Sequence, residues 1–183
     1  QETKGLLQTI SVVGRESGYP LIKRVTGLSE QQLLSHLSIL KDSELLYERG
    51  IYPQSPYVFK HALTQDVVYD SLLQKSKKKT HEQIAEVIEA LYPDRLEEHH
   101  ELLAYHFGRS ANTGRAVKYL DLANQKAAGF NAMEEAKAYF EKAMALLDCL
   151  PETEENQQRS ISLLVNQGIV FLLLFKSPEY YDL

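Results

Sequence analysis

The sequence predicts a mainly α chain that carries one small β-hairpin. Three observations lead there. Apolar residues recur at intervals of three, four and seven along most of the 183 residues, which is the spacing of one helix face. Residues 45–60 break this rhythm with two short runs on either side of a turn containing Gly and Pro. Pro93 then separates a mixed first part from a purely helical second part, because helices usually stop before a proline.

The first helix is marked by Leu6, Leu7, Ile10 and Val13, ahead of Gly14. A second, short helix spans residues 20–25 and is closed by Gly27. Ser29 and Gln32 form the spacing of a capping box. The third helix that follows buries Leu33, Leu34, Leu37 and Leu40. Residues 45–49 read as a strand, 50–56 as the turn and 57–60 as the returning strand. Three helices followed by a hairpin is the order of a winged helix. Thr64 is placed to cap the next helix, which carries Val67, Val68, Tyr69 and Leu72. Residues 75–79 (Lys-Ser-Lys-Lys-Lys) interrupt the apolar pattern without a breaker, and Ile84, Val87, Ile88 and Leu91 restore it. This is either one long helix or two abutting ones, ending near Pro93.

Beyond Pro93, Leu102, Leu103, His106 and Phe107 mark one helix, and residues 108–114 a loop. Ala116, Tyr119, Leu120, Ala123 and Ala127 mark a second helix. A third carries Ala132, Ala136, Tyr139, Phe140, Ala143, Leu146, Leu147 and Leu150, and is stopped by Pro151. Alanines let helices approach closely, with Tyr139 and Phe140 filling the gaps. Residues 157–175 supply a further helix whose end, Ile169-Val-Phe-Leu-Leu-Leu-Phe175, is the most apolar run of the chain. Seven apolar residues fall short of the roughly 20 a membrane span needs, so burial on more than one side is expected. Two domains follow: 1–93, a winged helix with a C-terminal long helix, and 94–183, a helical region.

Composition sets bounds on function. With 44% hydrophobic and 25% charged residues the chain is globular in character. A formal net charge of −5 offers no general attraction to nucleic acid or anionic membrane. The single Cys149 excludes an internal disulfide and a cysteine-built zinc site, and suits a reducing compartment such as the cytoplasm. No secretory signal is read at the start, and an opening at Gln1 is read as a piece of a longer protein.

Residues 57–73, Tyr-Val-Phe-Lys-His-Ala-Leu-Thr-Gln-Asp-Val-Val-Tyr-Asp-Ser-Leu-Leu, carry the most specific pattern. A short extended run leads into His61, and a helix follows at once. This resembles the segment that closes the winged helix of the STAND class of signal-transducing nucleotide-switch ATPases (AAA/NB-ARC-like). His61, Leu63 and Asp66 fall on that class's pattern of His, any residue, Leu, two residues, Asp. Ala62 stands where plant and animal immune relatives carry Asp. Leu46-Tyr-Glu-Arg-Gly50, Phe59-Lys-His-Ala-Leu63 and Leu102-Leu-Ala-Tyr-His-Phe107 resemble a bacterial group in which the STAND module is followed by TPR-like helices. Many of that group also carry a class III adenylate/guanylate cyclase domain. Ala136, Phe140 and Ala143 match the small–aromatic–small signature of a tetratricopeptide (TPR) second helix, giving one hairpin over residues 115–150.

The resemblance implies that His61 contacts an ADP phosphate in the full-length protein. It implies an upstream nucleotide-binding module in cis, holding ATP or ADP with Mg, and a protein partner for the TPR-like helices. The chain itself holds no phosphate loop with its Lys-Ser/Thr and no cyclase carboxylates, so it is read as a non-catalytic relay. The parent would be the nucleotide cyclase or ATPase. A second reading, from a different class, is a winged-helix DNA-binding regulator with a helical dimerisation tail.

Each candidate has a plainer reading beside it. His61 either donates to a phosphate oxygen or satisfies backbone groups at a strand-to-helix junction. The lysines of 75–79 read as a solvated helix face rather than a phosphate contact, since Glu82, Glu86 and Glu89 dilute their field. The third helix shows Glu30, Gln31, Gln32, Ser35, His36, Ser38, Lys41 and Asp42, too little positive charge for a DNA reader. His99, His100 and His106 read as surface histidines rather than zinc ligands, because neighbours on a helix point about 100° apart. Cys149 is expected as packing material. No catalytic and no metal residue is assigned. The last helix, with Leu163, Leu164, Ile169, Leu172, Leu173 and Phe175, is expected to expose enough apolar surface for homo-oligomer formation.

Overall fold

The computed structural model describes residues 2–50 and 55–175, with side chains to Gly168. The chain is mainly helical with one small antiparallel sheet. It divides into two compact units, the first running to Asp94 and including Arg109–Ala111, the second built from Arg95–Gly108 and the chain from Asn112 onward. No helix among the described residues is long and apolar enough to cross a membrane.

In the first unit α1 (Glu2–Val13) buries Leu6, Leu7, Ile10, Val12 and Val13. The chain leaves it through Gly14, whose φ of +146° disfavours a side chain. A strand not foreseen from the sequence follows, β1 (Glu16–Gly18). Glu-Ser-Gly has neither the alternation nor the residue types of a strand. Pairing creates it: Glu16 lies opposite Val58, Ser17 opposite Tyr57 and Gly18 opposite Pro56.

Helix α2 (Tyr19–Thr26) has Pro20 in its first turn and closes on Gly27 in the left-handed region, φ +64°. Helix α3 (Glu30–Asp42) starts with the expected capping box, Ser29 and Gln32 each bonding the other's backbone N–H. Its buried stripe is Leu33, Leu37 and Leu40; Leu34, expected inside, is 36% exposed. Four leucines cannot share one face, because Leu34 sits about 100° from Leu33.

Strands β2 (Leu46–Glu48) and β3 (Pro56–Phe59) pair antiparallel, Leu46 opposite Phe59 and Glu48 opposite Tyr57. The sheet order β1-β3-β2 puts β3 in the centre, where Tyr57, Val58 and Phe59 are all buried. Part of the expected 50–56 turn lies outside the described residues. Leu6, Ile10, Ile22, Leu33, Leu37 and Phe59 meet in one core. The element order is helix–strand–helix–helix–strand–strand, so the expected three helices and hairpin are present and a third strand is added between the first two helices.

Residues 62–91 form two abutting helices, α4 (Ala62–Asp70) and α5 (Gln74–Leu91). His61, not Thr64, is the N-cap of α4. In α5 the buried positions are Lys77, His81, Ile84, Ala85 and Ile88. Residues Pro93–His99 then wind as 3-10 turns interrupted at Arg95.

The second unit contains α6 (His100–Phe107), α7 (Thr113–Gly129), α8 (Met133–Leu147) and α9 (Glu154–Phe175). Helices α7 and α8 form a hairpin, turned tightly at Asn131 with φ +60°. Ala116, Ala123, Ala136 and Ala143 are all buried, so their small side chains permit close helix approach. The aromatic filler differs from expectation. Phe107 and Tyr119 stack with centroids 5.4 Å apart, whereas Tyr139 and Phe140 are only half-buried. Leu150 lies beyond the end of α8. The environment of the apolar run 169–175 lies outside the described side chains.

Candidate functional site

His61 stands between β3 and α4 with extended backbone, φ −127° and ψ 132°. Its carbonyl accepts from the N–H groups of Thr64 and Gln65, at 3.1 and 3.4 Å. Its exposed imidazole makes no capping hydrogen bond, and the first turn of α4 contains no acidic residue. The ring is thus set beside the positive end of a helix with no carboxylate of that turn competing for it.

The other two members of the pattern share this exposure. Leu63, Asp66, Val67 and Asp70 recur at steps of three and four, all on the outer face of α4. Leu63 is 77% and Val67 70% exposed, although sequence reasoning assigned Val67 to the apolar side of this helix. No residue of α4 is fully buried. Its inner side rests on Val68, which packs against the core, and on polar ties.

Those ties are specific. Gln65 Nε2 donates to the Ser11 carbonyl at 3.2 Å, and Gln8 Nε2 to Ser71 Oγ at 3.2 Å. Tyr69 Oη and His81 Nε2 share a hydrogen bond at 3.1 Å. Lys77 Nζ lies 3.1 Å from Asp70 Oδ1 and 4.2 Å from the Tyr69 ring centre. Lys77 is buried, which corrects the expectation that 75–79 is only a solvated face. Helical spacing turns Lys77 inward with His81, Ile84 and Ile88, while Lys75, Lys78 and Lys79 stay exposed. Burial drives the His81 pKa down to about 4, helped by the positive charges of Arg109 and Lys77. His81 is therefore neutral at pH 7.

The face of α3 that a DNA reader would present is poor in free charge. Gln31, Ser35, Ser38 and Asp42 are exposed on α3, as are Leu34 and Ile39, and Tyr47 is exposed on β2. Lys41 Nζ is tied to Glu48 Oε2 at 2.8 Å, and Ser55 Oγ donates to Glu48 Oε1 at 2.6 Å. These two bonds hold the Glu48 carboxyl below its ordinary pKa. His36 is drawn towards α1, with Thr3 Oγ1 2.9 Å from its Nδ1.

In the second unit the histidines depart from expectation. His100 and His106 are buried, and only His99 is partly exposed. Burial pushes the His100 pKa down, with the Lys126 charge adding to it. His106 meets Tyr105 edge-on at 5.1 Å, and His100 lies 6.2 Å from the Tyr119 ring. They serve as aromatic packing within a helical stripe, a role hidden by their polar letter code. No group of three or more metal-ligating side chains gathers among the described residues. Cys149, expected inside, is exposed.

No family model matches the chain, and neither a curated protein nor a solved structure matches it.

Proposed function

We propose that this chain is a non-catalytic relay module of a STAND-type nucleotide-switch signalling protein. One observation carries the reading: His61 at the N-cap of α4 is exposed, Leu63 and Val67 are exposed on the helix it opens, and the first turn holds no acidic residue. An imidazole beside a helix N-terminus suits a phosphate oxygen, and the apolar pair suits a covering protein surface. The occupant in this reading is an upstream module in cis that holds ADP or ATP with Mg. His61 contacts the ADP phosphate only there, so the bond forms in one state of the switch and is absent in the other. The helical second unit receives a protein signal, and Ile161, Leu164 and Val165, each more than half exposed on α9, offer apolar surface for a partner or a second copy. The parent is a cytoplasmic cyclase or ATPase; the relay itself carries out no chemistry.

The DNA-reading alternative fares worse. The exposed positions of its reading helix include Gln31, Ser35, Ser38 and Asp42, none of them cationic, while Lys41 is already paired with Glu48.

The docking face is tested with Leu63→Glu and Val67→Glu together in the full-length protein, reading co-purified nucleotide by chromatography. Both positions are exposed, so the relay should stay folded. The reading expects much of the bound ADP to be lost. Wild-type ADP content in a folded double variant contradicts it.

A further inference from the structure

We propose that the groove between α7 and α9 is a binding site for a phosphoryl monoester. The inference goes beyond the relay reading and stands without it. The groove encloses about 330 Å³, and Arg115, Lys118 and Arg159 line it together with Ser162 and a single carboxylate, Asp121. Three cations stand against Asp121 and the Glu155 carboxylate that pairs with Arg159, which leaves a local positive excess in a chain of net charge −5. Its floor is apolar and closed, with Val117 and Leu163 both buried.

The cations are placed rather than scattered. Arg115 lies over the Phe107 ring at 5.0 Å and Lys118 over the Tyr119 ring at 5.1 Å. Those two rings are the stacked pair beneath, so both cations stand on one aromatic platform. Arg159 comes from the opposite helix. Its Nη2 is held by Glu155 at 2.6 Å, which directs Nη1 across the groove to within 3.7 Å of where a Cβ on Gly114 would stand. Gly114 belongs to the first turn of the 17-residue α7, a turn without acidic residues. The positive pole of that helix adds to the same field. Asp121 is occupied from the side by Asn166, whose Nδ2 donates to Oδ1 at 3.3 Å.

A phosphoryl monoester matches this set better than a carboxylate. It brings roughly −1.5 to −2 charges and three strong acceptor oxygens, enough to engage donors from both helices at once. Two guanidinium groups are the side chains best suited to hold it. A small free ester and a phosphorylated side chain share this chemistry, and the test separates them.

The test uses the whole chain and follows amide and arginine side-chain NMR shifts during titration. The probes are inorganic phosphate, O-phosphoserine, a short phosphoserine peptide, and the same peptide carrying Ser or Glu instead. Phosphoryl probes should shift Gly114, Arg115 and Arg159, with little response to the Ser and Glu peptides. Arg159→Gln and Arg115→Gln should each weaken binding by about tenfold, as expected for one charge-assisted contact. Lys118→Gln, at an exposed position, should weaken it less while leaving the spectrum otherwise intact. Equal affinity for phosphoserine and the phosphopeptide assigns a small free ester, and a clear preference for the peptide assigns a phosphorylated segment. Absence of shifts with every phosphoryl probe overturns the proposal. So does equal binding of the Glu peptide, or unchanged affinity in both arginine variants.

Discussion

Tyr69 Oη and His81 Nε2 lie 3.1 Å apart, joining an outer helix with no fully buried residue to the buried face of its neighbour. Lys77 closes the same junction from below, between Asp70 and the Tyr69 ring. Helix α4 is therefore fixed by a few directional bonds more than by burial. Tyr69→Phe keeps the ring and the lysine contact but removes the bond to His81. It should cost about 1–3 kcal/mol of local stability, the range for leaving a buried polar atom without its partner. Hydrogen exchange checks this: α4 amides should exchange faster, with α7 and α8 unchanged.

His81 also sets a pH dependence. Its folded pKa of about 4 lies below the ordinary 6.5, so the unfolded chain binds the proton first. Above pH 6.5 the group adds nothing to stability changes. As pH falls from 6.5 towards 4 stability should decline, by a total on the order of 3 kcal/mol, and the decline should level off below that. His100, also lowered, contributes in the same direction from the second unit. Urea unfolding at pH 7, 5.5 and 4.5 should show a shallower decline in His81→Gln than in wild type. The variant should start from a lower value at pH 7.

Asn124 is a buried polar tie in the second unit. Its Nδ2 donates to the Ala136 carbonyl at 2.6 Å and to Gln167 Oε1 at 3.1 Å, linking α7 to both α8 and α9. Asn124→Ala should destabilise this unit by about 1–3 kcal/mol, because the Gln167 amide then stays buried without it. Asn124→Asp should do at least as much harm, since a buried carboxylate loses the donor and adds a charge. Thermal unfolding of the variants against wild type measures both.

Sequence periodicity located most helices because it reports the side chains that pack. Leu6, Ile10, Ile84 and Ile88 declared their elements, and Ser29 with Gln32 and Gly27 declared helix ends through local hydrogen bonds and backbone preference. Strand β1 was illegible, because Glu16, Ser17 and Gly18 become a strand only through β3. Lys77, His100 and His106 were misjudged for a related reason: polar letters conceal rings and alkyl stems that pack well. The period of α5 could have revealed Lys77, four residues before His81 and seven before Ile84. At the candidate site, the position of His61 on a strand-to-helix junction was readable, as was the pattern with Leu63 and Asp66. The exposure of Leu63 and Val67 was not, since an apolar residue on a helix is ordinarily assigned to the core.

The relay reading rests on His61, and the most direct measurement is ADP retention by full-length protein carrying His61→Ala. The side chain is exposed and makes no capping bond, so circular dichroism should match wild type. Loss of a charge-assisted hydrogen bond to phosphate costs roughly 1.5–3 kcal/mol, or about 10- to 150-fold in the equilibrium. The account predicts ADP release faster by a factor in that range and raised basal output. A folded variant that retains ADP and basal output at wild-type levels would contradict it, leaving His61 a junction residue.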